Sequence, residues 1–338
     1  MVFKRISVDT SKAVFTVHGI DEADRAVLRG DYSRGRFERW IASVAPTEFA
    51  LEACGGSHYW GRVLKAHGHH VRLIPPQYVK PFVKRGKNDR ADAAAISEAA
   101  GRPGMSFVPV KSAERQAQAM VLRIRERLVQ QRTQLANALR GHATEFGVVV
   151  ARGTSRLPEL VTQVRSRSLA PALAVRELER LLRCVEMLDV EIAEVDAELK
   201  KVAAEHEVAK RLMGVPGIGP IGAMTLALDV DATQFETGRH LSAWLGLVPQ
   251  ERSSGGKQRL GKISKAGNER IRQLLVLGAT AVIRHAKPGS RLASAWLNQL
   301  LQRKPRKLAA VALANKMARM VWALMTHGTV YRPNTAMA

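Results

Sequence analysis

The sequence predicts three regions of different character: an α/β domain over 1–110, a long-helix coiled-coil connector over 111–206, and a mainly α C-terminal domain over 207–338. Three observations carry this reading. Before residue 110, short apolar extended runs alternate with helix-like stretches, the pattern of a sheet covered by helices. From Ala174 through Leu178, Leu181, Val185, Leu188, Ile192, Val195, Leu199 and Val202, apolar positions alternate spacings of four and three, an a/d heptad seam. Beyond residue 206 the spacing is again helical, punctuated by Gly and Pro turns.

A chain of 338 residues is long enough for two domains with cores of their own. Lysine and arginine total 53 against 30 acids, and the net charge of +23 calls for a polyanionic partner, nucleic acid first. A membrane surface fits less well: there is no signal peptide, and the most apolar segment, Leu308 to Met325, carries Lys316 and Arg319 and reads as a buried helix. Cys54 and Cys184 are too few for a disulfide framework or a cysteine zinc site, which fits a reducing cytoplasm. His67, His69 and His70 sit in a Gly-containing approach to an apolar run and read as a turn rather than a metal site.

In chain order, Ile6 to Val8 and Ala13 to Val17 flank Asp9-Thr10-Ser11-Lys12 and predict a hairpin with Asp9 ending its first strand. A helix over Ser33 to Val44, a strand over Glu48 to Leu51 ended by Glu52, a helix over Tyr59 to Ala66 and a strand over His70 to Ile74 follow. The run Ala93-Ala94-Ala95 predicts a helix whose first turn carries Asp89 and Asp92, three apart on one face. Singly, each acid has an ordinary use: Asp89 as an N-cap, Asp92 as a first-turn carboxylate, Asp9 as a turn residue. Together, Asp9, Glu52, Asp89 and Asp92 can converge at one sheet edge, where four carboxylates repel one another unless divalent cations neutralise them.

The strings Val8-Asp9-Thr10-Ser11-Lys12, Glu52-Ala53-Cys54-Gly55-Gly56-Ser57, Ile74-Pro75-Pro76-Gln77-Tyr78-Val79 and Lys87-Asn88-Asp89-Arg90-Ala91-Asp92 closely resemble one bacterial insertion-sequence transposase family. That family is the one numbered 110, in its RuvC-like (RNase H-like) domain, and its subgroup with subterminal inverted repeats looks closest. The resemblance implies that Asp9, Glu52, Asp89 and Asp92 bind Mg2+ for phosphodiester chemistry, in which paired metal ions stabilise the entering and leaving oxygens.

The middle region opens with a helix-like stretch, Lys111 to Phe146, with Val121, Leu128 and Leu135 recurring beside Ile124 and Ala138. Arg115, Arg123, Arg125, Arg127, Arg132 and Arg140 decorate it, as phosphate contacts or as a solvated face. A Gly/Ser/Pro break from Gly147 to Pro171 precedes the heptad helix. Acids such as Glu177, Asp189 and Asp196 occupy that helix's remaining surface and call for a protein partner: the preceding helix, a second copy, or both. A homo-oligomer, dimer or tetramer, joined through the coiled coil is the expected assembly.

Gly214 to Gly222 holds a formal G-x-G-x-x-G, but it follows a helical pattern instead of a strand and is no dinucleotide fingerprint. Pro216-Gly217-Ile218-Gly219 reads equally as a helix-hairpin-helix, whose Gly217 and Gly219 amides hold a nucleic-acid phosphate, and as a plain helix-helix turn. Gly256 to Ile263 misses the P-loop pattern, because Ile263 stands where Ser or Thr would hold magnesium; no ATP or other nucleotide cofactor is expected. Ser253-Ser254-Gly255-Gly256-Lys257 is flexible-turn chemistry by its own spacing. Yet Arg252, Lys257, Arg259, Lys262, Lys265, Arg270 and Arg272 crowd around it at a density that favours phosphate binding.

Trp244 to Pro249, Ser253 to Lys257, Gly261 to Lys265, Gly267-Asn268 and Leu313-Ala314-Asn315-Lys316-Met317-Ala318-Arg319 resemble the C-terminal domain of the same family, so the likeness covers most of the chain. It implies a nucleophilic serine, which falls on Ser254, with Ser253 the alternative and Ser264 a distant third, and a phosphoserine link that conserves the phosphodiester energy. Ala266 and Asn268 stand where the family often has a basic residue and an acid, a departure expected to tune DNA contacts. Members also use an element-encoded guide RNA. The implied partners are therefore DNA (element ends and target) and a guide RNA, with no membrane, in a bacterial cytoplasm at the nucleoid. Two other readings compete: a RuvC-like junction-resolving nuclease using the four acids and water, and a non-enzymatic DNA-binding scaffold.

Overall fold

The computed structural model describes residues 2–83, 88–166, 170–252, 259–286, 292 and 294–332. The chain divides into two compact units, Met1–Gln116 and Ala117–Ala338.

In the first unit β1 (Arg5–Thr10), β2 (Val14–Ile20) and β3 (Ala26–Ser33) form an antiparallel meander. It continues through α1 (Arg34–Ile41), β4 (Glu48–Glu52), α2 (Ser57–Ala66), β5 (His70–Ile74), α3 (Pro76–Val79) and α4 (Asp89–Ala100). The sheet order is β3-β2-β1-β4-β5, with β4 parallel to both β1 and β5. Strand alternation sorts the side chains onto two faces. Ile6, Val8, Phe15, Val17, Phe49, Leu51 and Leu73 meet Phe37 of α1 and Trp60 and Leu64 of α2, whereas Ala50 and Ile74 meet Ala95, Ile96 and Ala99 of α4. The small alanines of α4 let it lie close across β1. Strand β3 is an element that the sequence reading passed over. It lies at the sheet edge with alternate residues exposed, and its Arg29-Gly30-Asp31 centre lacks the β-branched signal of its neighbours.

From α5 (Ala113–Thr144) onward the chain is mainly helical: α6 (Leu157–Ser166), α7 (Ala172–Glu205), α8 (Glu207–Leu212), α9 (Pro220–Asp229), α10 (Gly238–Trp244), the short pair β6 (Pro249–Glu251) and β7 (Leu260–Ile263), then α11 (Glu269–His285), α12 (Ala295–Arg303) and α13 (Arg306–His327). The expected break between the two long helices contains α6, whose Leu157, Leu160, Val161 and Val164 pack on Ala136, Leu139 and Ala143 of α5 and on Leu178 and Val185 of α7. Its Pro158 sits in the first turn, where a helix tolerates proline, so that residue was no stop signal.

On α7, Leu178, Val185, Ile192 and Leu199 are buried and Leu181, Leu188, Val195 and Val202 are half-buried, which follows the heptad seam. Arg132 Nη1 donates to Asp189 Oδ1 at 2.6 Å, and Arg125 pairs with Asp196. Each pair steps by seven residues in opposite senses along the two helices, so α5 and α7 run antiparallel within one chain. Asp189 and Asp196 of α7 thus find basic partners in α5, and Arg125 and Arg132 are committed to them; Glu186, Glu191, Glu194 and Glu198 of α7 and Arg123 and Arg127 of α5 remain exposed. Helix α13 is long and apolar enough to span a bilayer, but Ala309, Ala310, Leu313, Ala314, Met317, Ala318 and Val321 are buried in the core of the second unit.

Candidate active site

Asp9 sits near the carboxyl end of β1 and Glu52 ends β4. Because the two strands are parallel neighbours with Val8 beside Leu51, both acids emerge at the same sheet edge. Asn88 opens α4 by accepting the Ala91 amide on its side-chain oxygen at 2.7 Å, which fixes the first turn that carries Asp89 and Asp92. The cap is therefore Asn88, and Asp89 is the first helical residue. Carboxylate oxygens of Asp9, Asp89 and Asp92 lie within 4.8 Å of one another. Glu52 stands outside that group but within its field. Burial, then the charges of Asp89, Asp92 and Glu52, push the Asp9 carboxyl from the ordinary 3.8 up to about 6, and burial followed by Asp92 raises Glu52. Hard oxygen donors this close match one or two small divalent cations, with ligand distances of about 2.1 Å for Mg2+.

Strands β6 and β7 pair antiparallel through Pro249 with Ile263 and Glu251 with Leu260. Ser253, Ser254 and Lys257 fall between them, outside the described residues. Arg252, Arg259, Lys262 and Lys265 are exposed on either side. Arg270 and Arg272 do not join that surface. Arg270 pairs with Glu126 of α5 and donates to the Leu122 carbonyl at 3.2 Å. Arg272 is only 8% exposed and donates from Nη1 to the carbonyls of Leu245 at 3.0 Å and Ala266 at 2.7 Å. Sequence density alone therefore overstates the charge open to a phosphate. Ser264 is half-buried, with its Oγ accepting the Ala266 amide at 3.4 Å. Asn268, expected to tune DNA contacts, caps α11 by accepting the Ile271 amide at 3.1 Å, a task an Asp performs equally well.

Residues 209–294 match the family described as Transposase IS116/IS110/IS902, and residues 6–147 match the DEDD transposase family of IS110. The transposase for insertion sequence element IS1111A of Coxiella burnetii is 42% identical over 97% of this chain and 91% of its own length. The chain belongs to the IS116/IS110/IS902 transposase family. The transposase for insertion sequence element IS1328 of Yersinia enterocolitica is likewise 38% identical over 96% of this chain and 98% of its own length. In this transposase the four acids fall inside the segment 6–147, and the β6–β7 hairpin with Ser254 falls inside the segment 209–294.

Between α8 and α9 of the transposase, Gly217 has φ +90°, and a Cβ there would lie 2.8 Å from the Gly278 carbonyl oxygen of α11. Close backbone approach thus accounts for that glycine. Gly219 is exposed at the N-cap of α9 with open space around it. Sequence reasoning missed Arg272, which it counted as a phosphate contact, and Asn88, whose place before Asp89 and the alanine run is an N-cap signature. It also missed Arg90, between the two α4 acids, which reaches Asp31 of β3 at 3.3 Å while Asp31 accepts from Thr16 Oγ1 at 2.8 Å.

Proposed function

We propose that this transposase cuts and rejoins DNA through the Ser254 hydroxyl, with Ser253 the alternative, while Asp9, Glu52, Asp89 and Asp92 hold Mg2+. The convergence of Asp9, Asp89 and Asp92 at one sheet edge carries the reading, because a divalent cation bound there would offset their mutual repulsion. When bound, Mg2+ supplies electrostatic stabilisation of the phosphodiester oxygens. The Ser254 Oγ bonds to phosphorus as the bond to the departing strand breaks, and the serine's proton balances the charge on the departing oxygen, which leaves as a hydroxyl. Attack on the phosphoserine by a strand hydroxyl then restores a diester and frees the serine, so no bond energy is lost to water. The exposed Arg252, Arg259, Lys262 and Lys265, with Lys257, hold phosphates beside that serine, and the Gly217–Gly219 turn acts as a further backbone contact.

The order β3-β2-β1-β4-β5 supports an RNase H-like fold of RuvC type for residues 1–110. Helices α5 and α7 serve as a coiled-coil connector over 111–206, through which copies join as a dimer or tetramer, ahead of the C-terminal domain over 207–338. DNA ends and target are the substrates, and an element-encoded guide RNA chooses them by base pairing, consistent with the charge of +23. The protein acts at the bacterial nucleoid, and its element belongs to the subgroup with subterminal inverted repeats.

The test is to trap a denaturation-resistant protein–DNA adduct from cells carrying the complete element and to map the modified residue. Loss of the adduct in both Ser254→Ala and Asp9→Asn is expected. DNA cleavage that persists in Ser254→Ala and disappears in Asp9→Asn would identify a hydrolytic nuclease, and recombination that survives both would identify a scaffold. For the RNA, an element-derived transcript should copurify, and activity should fall after ribonuclease treatment.

A further inference from the structure

The two ends of the β6–β7 hairpin return to one place. Gly246, with φ +68°, leads into β6, and a Cβ on it would lie 2.4 Å from the Ala266 amide nitrogen. Gly267, with φ +64°, follows β7, and a Cβ on it would meet the Trp244 carbonyl at 1.9 Å. Backbone therefore touches backbone where the hairpin leaves and re-enters the helical core, and no side chain fits in that seam. Main-chain bonds from Ser264 to Val248 (2.8 Å) and from Lys265 to Gly246 (3.2 Å) continue the contact outward.

Two polar side chains from separate helices grip this junction. Arg272 of α11 is nearly buried, and its single Nη1 bridges the carbonyl of Leu245 before the hairpin and that of Ala266 after it. Asn315 of α13, a polar residue between the core residues Ala314 and Met317, donates from Nδ2 to the Leu247 carbonyl at 3.2 Å. Taking a guanidinium out of water to satisfy two main-chain carbonyls is costly for a mere turn, since charge-assisted bonds could form at the surface without desolvation.

We infer that Arg272 and Asn315 are positioning residues: they clamp the base of the β6–β7 hairpin, the element whose strands flank Ser253 and Ser254 in the chain. The inference rests on the serine reading above. Attack on phosphorus needs the nucleophile held to a fraction of an ångström, and a short two-stranded ribbon is not stable alone, so its stiffness must come from its anchorage.

The experiment compares Asn315→Leu, which keeps the shape and removes one donor, with Arg272→Lys, which keeps the charge and loses the fork, in the full chain. Amide hydrogen exchange over 246–252 and 259–265 should quicken about tenfold in Asn315→Leu, the scale of one lost buried bond, while exchange in β1, β4 and α7 stays unchanged. The serine adduct from the complete element should fall at least as far, with affinity for duplex DNA and the divalent-metal thermal shift unaltered. Asn315→Gln, which keeps an amide donor, should recover part of both losses. Arg272→Lys carries the larger risk of misfolding, and Asn315→Leu decides the matter if that variant is lost. Unchanged exchange across the hairpin in Asn315→Leu overturns the clamp, as does a loosened hairpin with full adduct yield. Ser254→Ala and Ser253→Ala serve as the separate controls: an adduct that persists in the double variant removes the serine assignment, and the exchange result still judges the clamp by itself.

Discussion

Replacing Asp9 by Asn should stabilise the metal-free protein while destroying its response to metal. Raising the Asp9 carboxyl from 3.8 to about 6 spans about two pKa units, and at about 1.4 kcal/mol per unit the ionised group costs the fold up to about 3 kcal/mol. The carboxyl is partly open to water, so screening brings the figure nearer about 1.5 kcal/mol. The sign follows from linkage. Because the folded value is the higher one, the native state binds the extra proton between pH 3.8 and about 6, and wild-type stability falls as pH rises through that window. In chelator, Asp9→Asn should therefore melt about 5 °C above wild type at pH 7.5, with the gap closing toward pH 4. Saturating Mg2+ should reverse the order, since metal at about 100 times its Kd adds about 2.7 kcal/mol to the wild type alone. Thermal unfolding of both proteins from pH 4 to 8, with and without Mg2+, reads all of this. A variant no more stable than wild type in chelator at pH 7.5, or a gap independent of pH, would refute the account of the acid cluster.

Mg2+ affinity of the wild type, measured by isothermal calorimetry, should weaken below pH 6 and release protons in proportion as Asp9 and Glu52, both raised, are forced to ionise. Asn88→Ala should weaken metal binding several-fold by loosening the first turn of α4, at a cost of about 1 kcal/mol, while Asn88→Ser should restore it; equal affinity in all three by calorimetry would remove Asn88 from the site. Leu139→Ala, which opens a cavity among α5, α6 and α7, should cost roughly 3 kcal/mol in urea unfolding of the second unit and leave Mg2+ binding untouched.

Much of the first unit could be read in the chain because its signals are local. Short apolar runs mark β1, β4 and β5, and acids at strand ends and at a helix start are visible as spacing. Edge strand β3 was not legible, since an exposed strand buries too little to leave a pattern. Spacing says that the four acids can meet and the family likeness implies their role, while the register of Val8 with Leu51 and the packing of α4 on β1 bring Asp9, Asp89 and Asp92 within 4.8 Å of one another and leave Glu52 outside that group. Arg272 shows the converse limit. A basic residue in a basic stretch looks like a phosphate ligand until tertiary structure turns it inward, and two carbonyls 21 residues apart in sequence, at Leu245 and Ala266, are a target no local pattern encodes.

Gly217 and Gly278 have a consequence for how this sequence can change. A Cβ on Gly217 would strike the Gly278 carbonyl, and a Cβ on Gly278 would lie 1.9 Å from the Gly217 oxygen. Most core positions can drift, because a larger side chain at one is answered by a smaller one opposite. Here neither residue has anything left to give up. The distance between the turn at Gly217 and α11 is set by main chain against main chain, so the pair admits no second-site suppressor at either position, and relief has to come from moving a whole helix.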